Sequence, residues 1–166
     1  MTPPLAFGFP PVIDRGASML ILGSFPSAQS LATGQYYANP RNAFWPITGR
    51  LFGFDPASPY AARLSALRAH GVALWDVLRV CRRAGSADAA IKREGLQAND
   101  FAELFASYPA IDRVYFNGAK AEQLYRRHAV VSERVRYTRL PSTSPAHAVR
   151  PGATLAAWGA AIASAA

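Results

Sequence analysis

Four short apolar runs, separated by segments with helical end signals, constrain the fold of this chain more than any other feature. The runs are residues 19–22, 72–75, 114–116 and 135–140. Short apolar runs bounded by turn residues are typical of buried strands. Strands that alternate with helices form parallel sheets covered on both faces. The pattern therefore predicts an α/β fold, a three-layer α/β/α sandwich with a four-stranded parallel sheet.

Residue types at the segment ends predict where helices begin and stop. Ser58 and Pro59 predict the N-cap and first turn of one helix, and Gly71 predicts its left-handed C-terminal residue. Asn99 predicts the cap of a second helix, and Gly118 opens a third directly after a strand. A further helix is expected at the C-terminal end of the chain.

The length of the chain predicts one domain. Its 166 residues, 51% of them hydrophobic, are enough to bury a substantial core. Residues 1–17 form a Pro-rich segment expected to wrap the surface before the fold begins, and residues 86–97 are the expected flexible connection. The first residues contain no basic leader, and no run approaches a membrane span. A cytoplasmic protein is expected, with no membrane partner and associated with the nucleoid if it binds DNA.

Cysteine and histidine are too few for a metal cage. The chain has one cysteine, Cys81, and three histidines, His70, His128 and His147. One cysteine forms no internal disulfide, and this set does not supply the usual thiolate-rich zinc or iron–sulfur site. No metal and no cofactor are expected.

The charge of the chain is compatible with a polyanion partner. The formal net charge is +8, and only Lys92 and Lys120 among the eighteen basic residues are lysine. Arginine binds phosphate through two parallel hydrogen bonds, and a basic surface attracts nucleic acid. A GC-rich genome would produce the same excess of arginine, so composition leaves both explanations open.

The segment after the first strand, residues 23–45 (the first loop), has the composition of a base-binding pocket. Ligands of open α/β sheets bind beyond the carboxyl ends of the strands, where this loop begins. Stacking faces and amides that hydrogen-bond are what the reading of an extruded base requires. The loop offers Tyr36, Tyr37, Phe44 and Trp45 as stacking faces, and Asn39 and Asn42 as amides. Phe44 and Trp45 are equally compatible with core packing, and Asn39 with a turn.

Two further groups follow the later strands. The segment after the fourth strand, residues 141–147 (the last loop), carries the hydroxyls of Ser142, Thr143 and Ser144, which can hold a DNA phosphate. An ordinary Ser/Thr/Pro loop would look the same. Asn117 ends the third strand, where its carboxamide can read a base edge or cap the following helix.

These motifs together resemble the uracil-DNA glycosylase superfamily. The first loop resembles the region that opens with Gly-x-Asn-Pro-Gly in the mismatch-specific uracil/thymine branch, without a gap over residues 23–45. The shared residues are Pro26, Thr33, Gly34 and the Pro-x-Asn-x-Phe-Trp of residues 40–45. Pro141 and Ser142 match part of the superfamily's second motif, His/Asn-Pro-Ser. Asn117 falls where some members recognise uracil.

Two residues differ from the motifs of that branch and indicate a different branch of the superfamily. Phe25 replaces the polar residue that activates water, and Leu140 replaces the polar residue that opens the second motif. Neither side chain can form a hydrogen bond. The combination is similar to the hypoxanthine-DNA (deoxyinosine) glycosylase branch, in which an Asn equivalent to Asn39 is held to be important for catalysis. His147 departs from this branch, where Asn is expected.

The resemblance implies a monofunctional DNA-repair glycosylase that acts in base excision repair. It would hydrolyse the N-glycosidic bond of a flipped deaminated base, with hypoxanthine preferred, in double- or single-stranded DNA, as a monomer. Asn39 would position the water or the sugar, and His147 would donate a proton or fill the minor groove. The predicted base-binding residues are Gly23, Ser24, Phe25, Tyr37, Phe44 as its alternate, and Asn117; the predicted DNA contacts are Arg41, Ser142, Thr143 and Ser144.

Three alternative functions share some of these sequence features. A uracil- or mismatch-specific glycosylase would use the same fold, and a non-catalytic DNA-binding module would explain the charge and the aromatic residues. A serine hydrolase would need a nucleophile elbow of the form G-x-S-x-G, and the chain contains none. No Asp/His pair is obviously placed to activate Ser24 or Ser142.

Overall fold

The computed structural model describes residues 2–147 and 151–164. Within these residues there are seven strands and six α-helices. The strands are β1 (Leu5–Phe7), β2 (Met19–Gly23), β3 (Val72–Asp76), β4 (Leu78–Arg82), β5 (Gln97–Ala98), β6 (Arg113–Asn117) and β7 (Arg136–Leu140). The helices are α1 (Ala28–Thr33), α2 (Phe44–Phe52), α3 (Tyr60–Ala69), α4 (Phe101–Ser107), α5 (Ala119–His128) and α6 (Pro151–Ala163), with a short 3₁₀ turn at Asp88–Ala90.

The central sheet is the predicted four-stranded parallel sheet. Its order is β3-β2-β6-β7, and all three pairings are parallel. Each strand coincides with one of the four apolar runs to within about a residue at either end, as is usual for strand boundaries. Gly23 pairs with Asp76, and Asn117 pairs with Leu140, so these four residues lie together at the carboxyl edge.

The two faces of this sheet carry separate cores. Side chains alternate between faces along a strand. Leu20 and Leu22 of β2 pack in one cluster with α4 and α5 residues, whereas Met19 and Ile21 pack in the other with α2, α3 and α6 residues. Helices therefore cover both faces, which confirms the three-layer α/β/α sandwich.

The Pro-rich N-terminal segment takes part in the fold, contrary to the expectation that it only wraps the surface. Leu5–Phe7 pairs antiparallel with β4 in a second sheet of order β1-β4-β5. Val12 forms a bridge to Leu74 of the central sheet. The physical reason is that residues 5–8 lie between the prolines and retain their N–H groups, so they can add a short edge strand.

Two predicted helix caps are shifted by one residue. Pro59, not Ser58, is the N-cap of α3, and the Ser58 hydroxyl donates to the Asp55 carbonyl. Asp100, not Asn99, caps α4 by accepting a hydrogen bond from the Glu103 amide. The Asn99 side chain instead donates to the Asp76 carbonyl, because it is buried behind β3.

Residues 86–97, predicted as the flexible connection, form the 3₁₀ turn and β5 and contact the first loop. The Ser86 hydroxyl accepts a hydrogen bond from the Ala28 amide at the start of α1. Asp88 accepts one from the Ser24 hydroxyl. Over the part of the chain described, no helix is long and apolar enough to cross a membrane.

Candidate active site

A cleft of about 510 Å³ lies at the carboxyl edge of the central sheet. Its walls come from the first loop, the end of β3, the 3₁₀ turn, the end of β6 and the last loop. The first and last loops touch, because the Ala43 amide donates to the Thr143 carbonyl over 3.0 Å. The two loops therefore lie side by side at one cleft.

The cleft brings together most of the residues that the sequence singled out. The predicted residues that line it are Gly23, Ser24, Phe25, Tyr37, Asn39, Asn117, Ser142, Thr143, Ser144 and His147. Arg41 and Phe44 are not among the lining residues. Arg41 is exposed on the first loop, next to Asn39, whereas Phe44 is fully buried.

Tyr37 is the aromatic surface of the cleft, and Phe44 supports it from behind. The two rings are stacked, with centroids 3.9 Å apart and an interplanar angle of 18°. Phe44 is 0% exposed and packs edge-on against Trp45 and Trp158. Phe44 therefore cannot stack directly on a bound base, which corrects its prediction as the alternate of Tyr37. Phe44 is the first residue of α2, and its side chain packs in the core instead of facing the cleft.

The backbone of Tyr37 is held in the left-handed region, with φ 54°. This conformation is uncommon for a bulky residue and is sustained only by its surroundings. Here the stacking on Phe44 and a 3.3 Å hydrogen bond from the Asn117 amide to the Tyr37 hydroxyl supply those constraints. Burial and the nearby Asp76 raise the pKa of the Tyr37 phenol, so that it stays neutral at physiological pH.

Asn117 joins the first loop to the last loop. Its Nδ2 donates to the Thr143 hydroxyl over 2.9 Å, and its Oδ1 accepts from the Thr143 amide over 2.9 Å. The carboxamide does not cap α5, because Gly118 is the N-cap and has no side chain. Most of the hydrogen-bonding capacity of Asn117 is thus used within the protein, and a second lone pair on Oδ1 is left for a ligand.

Asn39 combines a turn with a place in the cleft. Its Oδ1 accepts a 2.9 Å hydrogen bond from the Arg41 amide, as in an Asx turn. Its Nδ2 has no hydrogen-bond partner among the residues described, and Asn39 lines the cleft. One end of the carboxamide therefore fixes the loop while the other is free to bind water or a sugar oxygen.

The hydroxyls of the last loop differ in their surroundings. Thr143 is 3% exposed and its hydroxyl is taken up by Asn117, so it serves the loop rather than a phosphate. The Ser142 hydroxyl accepts from the Ser144 amide, and the Ser144 hydroxyl accepts from the Ala146 amide. Both serines are partly exposed and keep a hydroxyl proton to donate.

Phe25 and Leu140, the two apolar residues that replace polar residues of the family motifs, lie in different surroundings. Phe25 is 7% exposed and lines the cleft, with the Arg83 guanidinium 5.3 Å from its ring centroid. Leu140 is 2% exposed and packs in the core beside α6. Phe25 therefore forms an apolar part of the cleft wall, whereas Leu140 does not line the cleft.

The sequence interpretation missed two carboxylates in the cleft, Asp76 and Asp88. Asp76 ends β3 and is 4% exposed, and its Oδ2 has no hydrogen-bond partner in the described structure. Burial raises the pKa of the Asp76 carboxyl to about 7; the negative charge of Asp88 adds to the increase, and Arg83 opposes it. Asp88 accepts a 2.5 Å hydrogen bond from Ser24. The position of Asp76 directly after an apolar run was a sequence signal that could have identified it. No such signal marks Asp88, which only folding brings to the cleft.

Gly23 is required where β2 meets the cleft. A Cβ at this position would lie 2.6 Å from the Asp76 Oδ1 and 3.1 Å from the Tyr37 hydroxyl. Glycine therefore allows the carboxyl and the phenol to approach the end of β2 from two sides. His147 lies exposed on the rim of the cleft, and no group of metal-ligating side chains is found in residues 2–147 and 151–164.

A parallel sheet whose first and last loops enclose a cleft with a stacking ring and carboxamides can bind a base that is flipped out of DNA. The sequence model of the uracil DNA glycosylase superfamily matches residues 10–161. The chain belongs to this superfamily.

Individual relatives agree with this assignment. Proteins named hypoxanthine DNA glycosylase from Methanosarcina barkeri and Methanosarcina acetivorans are 43% and 40% identical over 115 residues, which are 69% of this chain and 72% of theirs. A solution NMR structure of a proposed uracil DNA glycosylase from Methanosarcina acetivorans is also similar. Its TM-score is 0.75 at 34% identity, over 94% of this chain and 98% of the other. The protein is a monofunctional DNA glycosylase.

Proposed function

We propose that this glycosylase removes hypoxanthine from DNA by hydrolysing the N-glycosidic bond of a base flipped into the cleft. The observation that carries the proposal is the arrangement of Tyr37, Asn39 and Asn117 around one cavity that is large enough for a purine. The two relatives named hypoxanthine DNA glycosylase support the choice of base. The apolar Phe25 supports it as well, because a uracil-type water-activating residue is absent from this position.

Asn39 is the group that positions the attacking water. Cleavage of the N-glycosidic bond develops positive charge on the deoxyribose and negative charge on the leaving base. The Asn39 carboxamide is held by its own turn, so it is preorganised before substrate binds. Phe25, which takes the place of a polar residue, closes the wall of the cleft beside it.

Tyr37 and Asn117 bind the base. The ring of Tyr37 offers a face for stacking on the base and is kept rigid by Phe44. The remaining lone pair of Asn117 Oδ1 accepts a hydrogen bond from the N1–H of hypoxanthine. Adenine has no hydrogen on N1, so this contact distinguishes the deaminated base from the normal one.

The rim of the cleft binds the DNA backbone. Arg41 is exposed on the first loop, and Ser142 and Ser144 are partly exposed on the last loop. The main chain of Gly23 and Ser24 contributes from the end of β2. The substrate is a deaminated base in double- or single-stranded DNA, bound by a monomer in the cytoplasm at the nucleoid. His147 lies on the rim, where it fills the minor groove or donates a proton.

The proposal is tested by incubating the protein with matched duplexes that carry hypoxanthine, uracil, xanthine or a G:T mismatch, followed by alkaline strand cleavage. Faster release of hypoxanthine than of any other base is expected. Faster release of uracil would favour a uracil glycosylase, the description carried by the similar NMR structure. Binding of all four duplexes without base release would contradict the proposal and favour a non-catalytic module.

A further inference from the structure

The end of β3 places a carboxyl group in the cleft that the mechanism above does not use. Asp76 lines the cavity and is 4% exposed. Its Oδ1 is the atom that a Cβ at Gly23 would meet, and its Oδ2 is buried without a hydrogen-bond partner in the described part of the chain. A buried carboxylate normally has a cation or several donors. In the part of the chain that the structure describes, Asp76 forms no ion pair and its Oδ2 receives no hydrogen bond.

The charged and titratable groups around Asp76 favour its neutral form. From the first loop, the phenols of Tyr36 and Tyr37 face it, and from the 3₁₀ turn the carboxylate of Asp88 does so. Arg83, after β4, is the one basic group among its described neighbours, and its guanidinium donates to the carbonyls of Gly85 and Pro26. No ion pair joins Arg83 to Asp76 in the described structure. Burial and the negative charge of Asp88 thus raise the pKa of Asp76 to about 7, so that a substantial fraction of the molecules carries the proton near neutral pH.

We propose that Asp76 is a further catalytic residue, which donates its proton to the leaving purine. The inference depends on the proposed excision of hypoxanthine. The carboxyl is buried at the cleft beside the ring that stacks on the base, and a neutral carboxyl in an apolar site is an effective general acid near neutral pH. Protonation matters for a purine because a protonated base leaves as a neutral molecule.

Proton transfer from Asp76 accompanies cleavage of the N-glycosidic bond. The bond between C1′ and N9 breaks, and its electron pair passes to the base. The proton on Asp76 moves to an acceptor atom of the departing base. Water, oriented by Asn39, adds its oxygen to C1′ and releases a proton to the solvent. The Asp76 carboxylate then takes a proton from the solvent, so that one water is consumed in each turnover.

The test compares single-turnover excision of hypoxanthine by the wild type, by Asp76→Asn and by Asn39→Ala from about pH 5 to about pH 9. Asn is isosteric with Asp and can still donate a hydrogen bond, but it cannot transfer a proton. The same substrate is used for each enzyme, so that titration of the base itself affects all three alike. Duplex binding and thermal unfolding of each variant are measured in parallel.

The wild-type rate is expected to be level at low pH and to fall about tenfold for each pH unit above about 7. Asp76→Asn should lose roughly a hundredfold of the rate at low pH and should show no break near neutrality. Asn39→Ala should be slow at every pH and keep the break. An Asp76→Asn enzyme with the wild-type rate, or a slower one that keeps the break, would overturn the inference.

A second measurement does not depend on a variant that folds. Carboxyl carbon NMR of the wild-type protein, labelled at aspartate and with the signal of Asp76 identified, should show one carboxyl that titrates near neutral pH. Ionisation of Asp76 throughout the range of pH 5 to 8 or so would overturn the inference. Failure of the wild type to release hypoxanthine at any pH would instead contradict the proposed function, so the two failures are distinguishable.

Discussion

At the scale of single residues, the proposed mechanism assigns the water to Asn39 and the leaving base to Asp76. Asn39 is held by a local turn that its own side chain makes, and it faces the cavity with its free amide. Asp76 is held by the end of a strand, and burial raises the pKa of its carboxyl to about 7. The first role depends on local sequence and the second on the surroundings.

Replacement of Asn39 by Ala should abolish most base excision and leave DNA binding nearly intact. Loss of a contact made in the transition state lowers turnover without weakening ground-state binding. A decrease of roughly a hundredfold or more in kcat is expected, as for other single preorganised polar groups. Gln29→Ala is the matched control, because Gln29 is an exposed carboxamide on α1 outside the cleft. Full activity of Asn39→Ala would show that another group positions the water.

Replacement of Asp76 by Asn should change how stability depends on pH. The folded-state pKa of Asp76 is raised, so its contribution to stability is fully present below the unfolded-state value of about 4 and is lost as pH rises through about 7. The variant does not titrate, so its stability relative to the wild type should increase with pH. The gain between about pH 4 and about pH 8 is at most about 4 kcal/mol. Urea unfolding of the wild type and the variant at both pH values measures this gain. An equal stability difference between the two proteins at both pH values would contradict the raised pKa of Asp76.

At the scale of secondary-structure elements, the close approach of α5 to the last loop shapes the cleft. Gly118, the N-cap of α5, has φ +99° and would bring a Cβ to within 3.0 Å of the Ser142 Cβ. Glycine at this point allows β6 and β7 to end beside each other, with Asn117 bonded to Thr143. The last loop is thereby held against the end of β6.

Gly118→Ala should therefore displace the last loop and weaken substrate binding. With φ 99° and ψ 165°, Gly118 has a backbone conformation that is almost confined to glycine and costs another residue about 1–3 kcal/mol, and contact with Ser142 adds to this. Gly53→Ala is the control, since Gly53 lies outside the cleft loops and has φ +71° but nothing within 4 Å of its Cβ position. Both variants should lose stability in thermal unfolding, and only Gly118→Ala should also raise KM. Equal KM values would mean that Ser142 accommodates the methyl group.

At the scale of the whole molecule, the net charge of +8 should make DNA binding depend on salt. Each phosphate contact releases a counterion, so the logarithm of affinity falls linearly with the logarithm of salt concentration. Arg41→Ala should reduce this slope by about 1 and weaken binding to all sequences alike. Arg68→Ala is the control, because this partly exposed residue lies in the last turn of α3, before the start of β3 and at the opposite end of the strands from the cleft. If the affinity for DNA were the same at low and at physiological salt, the arginine excess would reflect genome composition and not DNA binding.

Much of the architecture follows from local pattern. The four apolar runs specify the strands of the central sheet, and their alternation with helical segments predicts helices on both faces. Parallel strands end at one edge of a sheet, so the loops that follow them were expected to form the cleft. Tyr37, Asn39 and Asn117 were identified in this way, and the family motifs in the first and last loops identified the class of enzyme.

Tertiary structure decided what those residues touch. The sequence did not show that Phe44 is buried behind Tyr37, that Thr143 uses most of the Asn117 carboxamide, or that residues 1–17 supply a strand. Asp76 was readable as a polar residue after a strand, but its neutral state depends on burial and on Asp88. Local pattern reports which side of an element is buried, because that depends on neighbours three or four residues away. The charge state of a side chain depends on groups that only folding brings near, so it is decided by the packed structure.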